Sequence, residues 1–350
     1  MKQVKNIKGV NMFPTLKDIA DRVGVHPSTV SRVLRGKETL PVTEEMRQRI
    51  LAVAKELNYQ PNHLARAFRL KKTQTVGLII PDISNPFFSG IARSIEIASY
   101  QADYNLVVCN TDEEQVKEIQ MVNMLLNRGV DGLIIAPVQD CYQHIQKLCE
   151  RNFPLVLIDR YFKDIETNAV ISDNEEAAFN AVSFLARAGH HRIGFISGRK
   201  NIYTIIARLI GYKKAINKHH LDDDPSLVSE NGFTLDSGYK STLQILSTRY
   251  PPTALLISGN LISVGALKAI FEKKLSIPDD ISIVGFTDFI CSEYWVTPMS
   301  TITHPLPEMG EQAFNLLLRH MQSDKPLPYS KIVVKTKFTI RESIKTFYPV

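Results

Sequence analysis

Apolar positions fall into two regimes along this chain. Between Thr15 and Leu57 they recur at helical spacing, and from Thr75 onward short β-branched runs alternate with longer amphipathic stretches. In the first regime Leu16, Ile19, Ala20 and Val23 stand at i, i+3, i+4 and i+7, one face of a helix. Thr15 suits its N-cap, and Asp18 complements the dipole in its first turn. Gly24 permits a tight turn, and Pro27 suits the start of a second helix, where its missing N–H has no helical partner to lose. In that helix Val30, Val33 and Leu34 point inward, while Ser28, Thr29, Arg32 and Arg35 point outward. A third helix starts from Thr43, carries Glu44 and Glu45 in its first turn, and closes the small core with Met46, Ile50, Val53 and Leu57. The pattern predicts a helix-turn-helix or a plain helical hairpin. Hydroxyls and a guanidinium on the exposed face, groups that bond phosphates and base edges, favour the first.

The second regime gives candidate strands at Val76–Pro81, Leu106–Cys109, Gly132–Ala136, Val156–Asp159, Ile193–Ser197, Ala254–Ile257 and Ile281–Gly285. Helical stretches include Ile91–Ala102, Val116–Arg128, Ala177–Ala188 and Leu261–Lys273. Such alternation predicts βαβ units, and two sets of them make two doubly wound α/β lobes with parallel sheets.

Composition narrows the class. A chain of 350 residues, 44% hydrophobic, buries a large core. No run approaches the roughly 18 apolar residues of a membrane helix, and Met1–Val10 lacks the apolar centre of a secretory signal. Cys109, Cys141, Cys149 and Cys291 show no paired spacing and read as reduced thiols of a cytoplasmic protein. The charge is lopsided: residues 1–72 hold fifteen Lys or Arg against six Asp or Glu, the remainder twenty-seven against thirty. A basic head on a faintly acidic body is either a phosphate-backbone footprint or ordinary solvated surface.

Three head segments carry a specific likeness: Thr15-Leu-Lys-Asp-Ile-Ala20, Val25-His-Pro-Ser-Thr-Val-Ser-Arg-Val-Leu34 and Leu57-Asn-Tyr-Gln-Pro-Asn62. They resemble the lactose/galactose-repressor (LacI/GalR) family. So do body landmarks, Asn127-Arg-Gly-Val-Asp-Gly-Leu-Ile-Ile135, Gly189-His-His-Arg-Ile-Gly194, Ala207-Arg-Leu-Ile-Gly-Tyr212 and Ile277-Pro-Asp-Asp-Ile-Ser-Ile-Val-Gly-Phe286, so that the likeness spans about residues 15–342. It implies a helix-turn-helix head at 13–60, a hinge helix and linker at 61–72, and a periplasmic-binding-protein-like body at 73–350. Lobe 1 would be about 73–172 plus 304–332, and lobe 2 about 173–303 plus 333–350. Residues 1–11 precede the usual start of the family and read as a tail or an over-long start rather than a phosphate-binding arm.

Carried over position by position, the resemblance places Thr15, Leu16, His26, Ser28, Thr29, Arg32, Arg35, Asn62, Ala65, Arg66 and Phe68 at DNA. Phe68 stands where the family wedges an apolar residue between base pairs; apart from the family it would be a core or interface residue. His26 occupies a position usually held by Ser, which predicts weaker capping, and Pro27 shifts base reading onto Ser28, Thr29 and Arg32. The implied ligand cleft holds Phe87, Phe88, Arg160, Asp173, Thr204, Arg208 and Asn260. Asp173 and Arg208 would serve hydroxyl groups and the Phe pair would stack, although Arg208 as surface charge and the pair as core remain open readings. Asn260 and Thr287 stand where many relatives carry Asp, which implies a cleft less acidic than usual.

Phosphate-loop, dinucleotide, nucleophile-elbow and zinc-protease motifs are absent from the sequence, so no enzyme, cofactor or metal is expected. Adjacent His190 and His191 cannot face one metal from a regular element and read as solvated surface. The expected function is transcriptional regulation, most simply repression. A homodimer would bind a pseudo-palindromic double-stranded DNA operator, and a small-molecule effector, a sugar or sugar derivative, would control it with no membrane involved. A solute-binding receptor without a DNA role is the alternative.

Overall fold

The computed structural model describes residues 14–34, 42–59, 72–139, 142–286, 293–294 and 296–347. The chain divides into two compact units, Met1–Thr73 and Gln74–Val350.

In the first unit, α1 (Leu16–Val23), α2 (Pro27–Val33) and α3 (Glu44–Glu56) enclose a small core of Ile19, Ala20, Val23, Val30, Ile50 and Ala54. Helix α1 begins with a reciprocal cap. The Thr15 hydroxyl accepts from Asp18 N–H at 3.3 Å, and the Asp18 carboxylate accepts from Thr15 N–H at 2.7 Å, which satisfies two otherwise orphaned donors. It ends on Gly24 at φ +79°, a left-handed conformation that glycine adopts without strain. His26 does cap α2, its Nδ1 accepting from Ser28 N–H at a long 3.3 Å. The third helix starts from Thr43 as its cap residue, with Met46 N–H donating to the hydroxyl.

The second unit holds two six-stranded sheets. Strands β1 (Thr75–Ile80), β2 (Asn105–Asn110), β3 (Gly132–Ile135), β4 (Leu155–Ile158), β5 (Asn168–Ser172) and β11 (Lys331–Val334) form the first, in the order β11-β5-β4-β3-β1-β2 and all parallel. Around it lie α4 (Pro86–Gln101), α5 (Gln115–Asn127), α6 (Gln143–Glu150) and α11 (Leu306–Gln322). The second sheet runs β12-β10-β9-β8-β6-β7, from β6 (Ile193–Ser197), β7 (Val228–Glu230), β8 (Ala254–Ile257), β9 (Ser282–Phe286), β10 (Ser300–Thr303) and β12 (Lys337–Thr339), with only β12 antiparallel. Its helices are α7 (Asn174–Arg187), α8 (Tyr203–Lys218), α9 (Leu235–Leu246) and α10 (Asn260–Glu272). Helices on both faces give each sheet two apolar layers, so β1, β3, β4, β6, β8 and β9 are almost wholly buried and read as continuous apolar runs.

The chain passes between the lobes at 172–174, 303–306 and 334–337. Because β11 belongs to the first sheet, the last passage lies beyond the 332/333 division expected from the sequence. Strands β5, β7 and β10 and the lysine-bearing edge strands β11 and β12 escaped the sequence pattern. They are short, and the edge pair is half-solvated, so neither a long apolar run nor clean alternation marks them.

Helices α7 and α8 approach closely because position 211 is glycine: a Cβ there would meet the Glu175 carbonyl oxygen at 2.0 Å. Gly211→Ala should therefore push the two helices apart and destabilise the body by about 1–3 kcal/mol, read as an earlier urea midpoint at unchanged slope. An unshifted midpoint would refute the close-packing argument.

Candidate functional site

Two sites follow from the fold, one in each unit. In the head, the turn through Gly24 delivers α2 with Val30 and Val33 buried, leaving Ser28, Thr29 and Arg32 half-buried on the other side. The Ser28 hydroxyl lies 2.8 Å from His26 Nδ1 and 3.5 Å from an Arg32 terminal nitrogen. The three side chains of His26, Ser28 and Arg32 thus form one polar surface. Thr15 is engaged in its cap and Leu16 packs against the head core. Arg35, Asn62, Ala65, Arg66 and Phe68 lie outside the described residues.

In the body, a cavity of about 410 Å³ opens between the lobes at the carboxyl ends of their strands, where doubly wound folds collect ligands. Phe87, Phe88, Arg160, Thr204, Arg208 and Asn260 all line it. The amide of Asn260 reaches across to the other lobe, donating to Asn85 Oδ1 at 3.0 Å.

Arg208 is buried, not a surface charge. Its Nε donates to Asn174 Oδ1 at 2.7 Å, one terminal nitrogen to the Ser258 carbonyl at 2.6 Å, and the other faces His304 Nε2 at 3.4 Å. Its plane stands 4.2 Å from the Phe286 ring centre. Burial lowers its pKa to about 10, against the upward pull of Asp159. A guanidinium only donates, so His304 must present a bare Nε2 and carry its proton on Nδ1, which lies 2.9 Å from the Ser172 hydroxyl. Burial, reinforced by Arg208, pulls the imidazole down to about pKa 3 and keeps it neutral.

Arg160 is held differently. Its two terminal nitrogens fork onto Glu113 at 2.8 and 2.7 Å. Burial works to lower its pKa, but the Glu113 carboxylate outweighs it and the net direction is upward. Beside it, burial drives the Asp159 carboxyl above the usual range against the pull of Arg160 and Arg208. Asp159 Oδ1 and Arg160 Nε are buried without a hydrogen-bond partner.

Two expectations need correction. Asp173 is not in the cleft: one carboxylate oxygen accepts from Thr336 N–H at 2.8 Å and the other lies 3.4 Å from Lys335, so it fastens the first lobe crossing to the third. His190 is buried rather than solvated, with Nδ1 2.8 Å from the Thr253 hydroxyl and Nε2 3.1 Å from the Lys345 carbonyl. Asp82, Asp112, Glu113 and Asp159 line the cleft from lobe 1, and Thr287 lies outside the described residues. Sequence reasoning also missed Asn85, Glu113, Asp159, Phe233 and His304. Most of these follow strand ends in loops, where periodicity is silent, though Asp159 directly follows the strand that ends on Ile158.

Among the described residues no grouping of His, Cys, Asp or Glu could hold a metal ion, and no helix is long and apolar enough to cross a membrane.

A helix-turn-helix head joined to a two-lobed body with a polar inter-lobe cleft defines a ligand-responsive DNA-binding transcription regulator. Residues 15–62 match the family model for bacterial regulatory proteins of the lacI family, and residues 182–344 that for a periplasmic-binding-protein-like domain. The chain is 30% identical over 335 residues to the HTH-type transcriptional repressor PurR of Haemophilus influenzae (strain PittEE), covering 95% of this chain and 99% of that protein. Its structure matches the lac repressor dimer bound to operator and the anti-inducer ONPF with a TM-score of 0.83 at 26% identity, covering 95% of this chain and 99% of that one. A regulator from Enterococcus faecium with bound ribose matches at TM-score 0.71 and 26% identity, over 78% of this chain and 100% of that one. The protein belongs to the lacI family of bacterial regulatory proteins.

The neutral His304 makes the cleft acid-sensitive. Unfolded, this imidazole takes up a proton as pH falls through about 6.5; folded, it resists until about 3. Stability from this group is therefore present above the upper value and lost as pH falls, at up to about 1.4 kcal/mol per pH unit. In His304→Gln the component vanishes, so the wild type's stability margin over the variant should shrink from pH 6.5 to 4.5 in urea titrations. Parallel curves would contradict it.

Proposed function

We propose that this regulator acts as a cytoplasmic homodimer that places two copies of α2 in successive major grooves of a pseudo-palindromic operator. Its effector would be a sugar or sugar derivative held between the lobes. The observation that carries the effector reading is the inter-lobe cavity itself. It is large enough for a sugar-sized molecule, with aromatic faces from Phe87, Phe88 and Phe233 beside Arg160, Asp159 and Arg208. Aromatic faces with converging donors and acceptors suit a polyhydroxylated ring, and the ribose-bound structure of a related fold supports the same chemistry. Exposed Ile97 and Tyr100 on α4, with Val108 on the β2 edge, support pairing through the body.

In the head, Ser28, Thr29 and Arg32 would read base edges or phosphates, with His26, Thr15, Leu16 and Arg35 completing the contact. Asn62, Ala65, Arg66 and Phe68 would engage the minor groove. Effector bound across the cleft favours one arrangement of the lobes, and the paired bodies pass that preference to the operator-binding segments. Repression is the simplest outcome.

Arg32→Ala should weaken operator binding by roughly 1–3 kcal/mol and relax discrimination at one base pair. Quantitative binding to operator variants checks this, and equal loss on every sequence would make Arg32 a phosphate contact instead. For the cleft, a thermal-shift screen of sugars, sugar phosphates and nucleobases identifies compounds that raise the melting temperature. Arg208→Ala should abolish the shift given by the best of them; an unchanged affinity would remove Arg208 from the site.

A further inference from the structure

Helix α8 begins without a cap of its own. Its N-cap residue is Ile202, whose side chain holds no acceptor, so the first N–H groups of the helix need a partner from elsewhere. That partner comes from the other lobe. Gln139, in the loop that follows β3 of lobe 1, accepts from the Tyr203 N–H at 2.7 Å. The chain passes between the lobes at 172–174, 303–306 and 334–337, none of them adjacent in sequence to either residue. The cap therefore exists only while the two lobes keep their present spacing, and a separation of about 1 Å would break it.

The loop that offers this cap is braced from behind. The Val138 N–H donates to the fully buried Glu118 carboxylate at 2.6 Å, and the other Glu118 oxygen lies 2.6 Å from His144 Nε2. The Pro137 carbonyl accepts from Arg160 at 3.3 Å. Charge-assisted bonds to backbone are strong, so Gln139 stands on a fixed base. Beside the cap, the rings of Tyr161 on lobe 1 and Tyr203 on lobe 2 meet edge-on with centres 4.5 Å apart. Two contacts from lobe 1 thus converge on Tyr203, the first residue of the helix that brings Thr204 and Arg208 to the cleft.

Only the oxygen of the Gln139 amide is engaged. Its Nε2 is buried with no hydrogen-bond partner among the described residues, which costs stability rather than adding to it. What the position gains is an acceptor aimed at the start of α8.

We propose that Gln139 is a positioning residue that acts across the lobes. It supplies a non-covalent attachment beside the three chain crossings and sets where α8 sits against lobe 1. Gln139 does not line the inter-lobe cavity, so it works on the cleft through the helix and not by touching an effector. This role holds whatever the cavity binds.

The test uses the full-length protein with no ligand added. Gln139→Met keeps the length and apolar packing of the side chain and removes the acceptor. Gln139→Glu keeps an acceptor, and a carboxylate suits a helix N-terminus. Amide hydrogen exchange at Tyr203 reads the cap. Double electron–electron resonance between nitroxide-bearing residues at positions 147 and 240 reads lobe spacing, with labelled protein diluted in unlabelled so that only distances within one chain count. Lys147 on α6 and Lys240 on α9 are both exposed and lie on different lobes. In Gln139→Met the Tyr203 amide should exchange about tenfold faster while amides of β3 and β6 keep their rates, and the distance distribution should broaden. Gln139→Glu should restore both readouts.

An unchanged Tyr203 amide in Gln139→Met would remove the cap. A faster amide with an unaltered distance distribution would leave Gln139 a local cap and overturn the positioning role. A rise in exchange shared equally by β3 and β6 would overturn it too, since that marks a loss of overall stability. Failure of Gln139→Glu to restore both readouts would assign the effect to packing instead of the acceptor.

Discussion

Arg208 carries its charge to a point that water scarcely reaches, and its three acceptors come from three separate stretches of chain. Asn174 opens α7 at the first lobe crossing, the Ser258 carbonyl follows β8, and His304 sits on the second crossing. Losing any one would strand a buried charged donor, at a cost of several kcal/mol. The arginine therefore fixes the relative positions of two crossings and one strand end before any ligand arrives. Phe286 covers one face of the guanidinium, and Phe87 stands edge-on to His304 with ring centres 5.2 Å apart. The lobe 1 helix carrying Phe87 thus meets the same small cluster.

Among the described residues the hydrogen bonds across the lobes are few and of modest strength. Asn260 donates one side-chain hydrogen bond to Asn85, Tyr203 N–H donates to Gln139 Oε1 at 2.7 Å, and the His304 imidazole hydrogen-bonds the Ser172 hydroxyl. Neutral hydrogen bonds contribute about 0.5–1.5 kcal/mol each. The lobe equilibrium is thus held by terms of the same size as those a small ligand brings, and an effector contact of a few kcal/mol shifts it decisively. Each lobe's sheet, by contrast, lies between two close-packed apolar clusters, which resist internal deformation.

Much of this was legible in the residues. The head declared itself through Thr15, Asp18, Gly24 and Pro27, because caps and turns are local chemistry. Arg208 falls within the landmark Ala207–Tyr212, and Arg160 and Thr204 came from the position-by-position likeness to the family. Asp173 was not legible, since its true partner, the Thr336 N–H, lies 163 residues away and nothing near Asp173 announces it. His190 failed for the same reason: its ring is held by Thr253 and by the Lys345 carbonyl near the far end of the described chain. That Asp82, Asp112, Glu113 and Asp159 all meet at one wall of the cleft appears only when loops distant in sequence are folded together.

The strand at Lys331–Val334 forms the edge of a sheet whose other members all lie before residue 173, and Lys337–Thr339 closes the other sheet. On the ribosome, neither sheet can be finished until nearly the whole chain has emerged. At about 5–20 residues per second, the body waits many seconds with β5 and β10 each lacking a neighbour. The small head has no such debt to the far end of the chain. Newly made protein would therefore carry a formed head ahead of a body still unable to sense anything, and ligand control would begin only with the last strand.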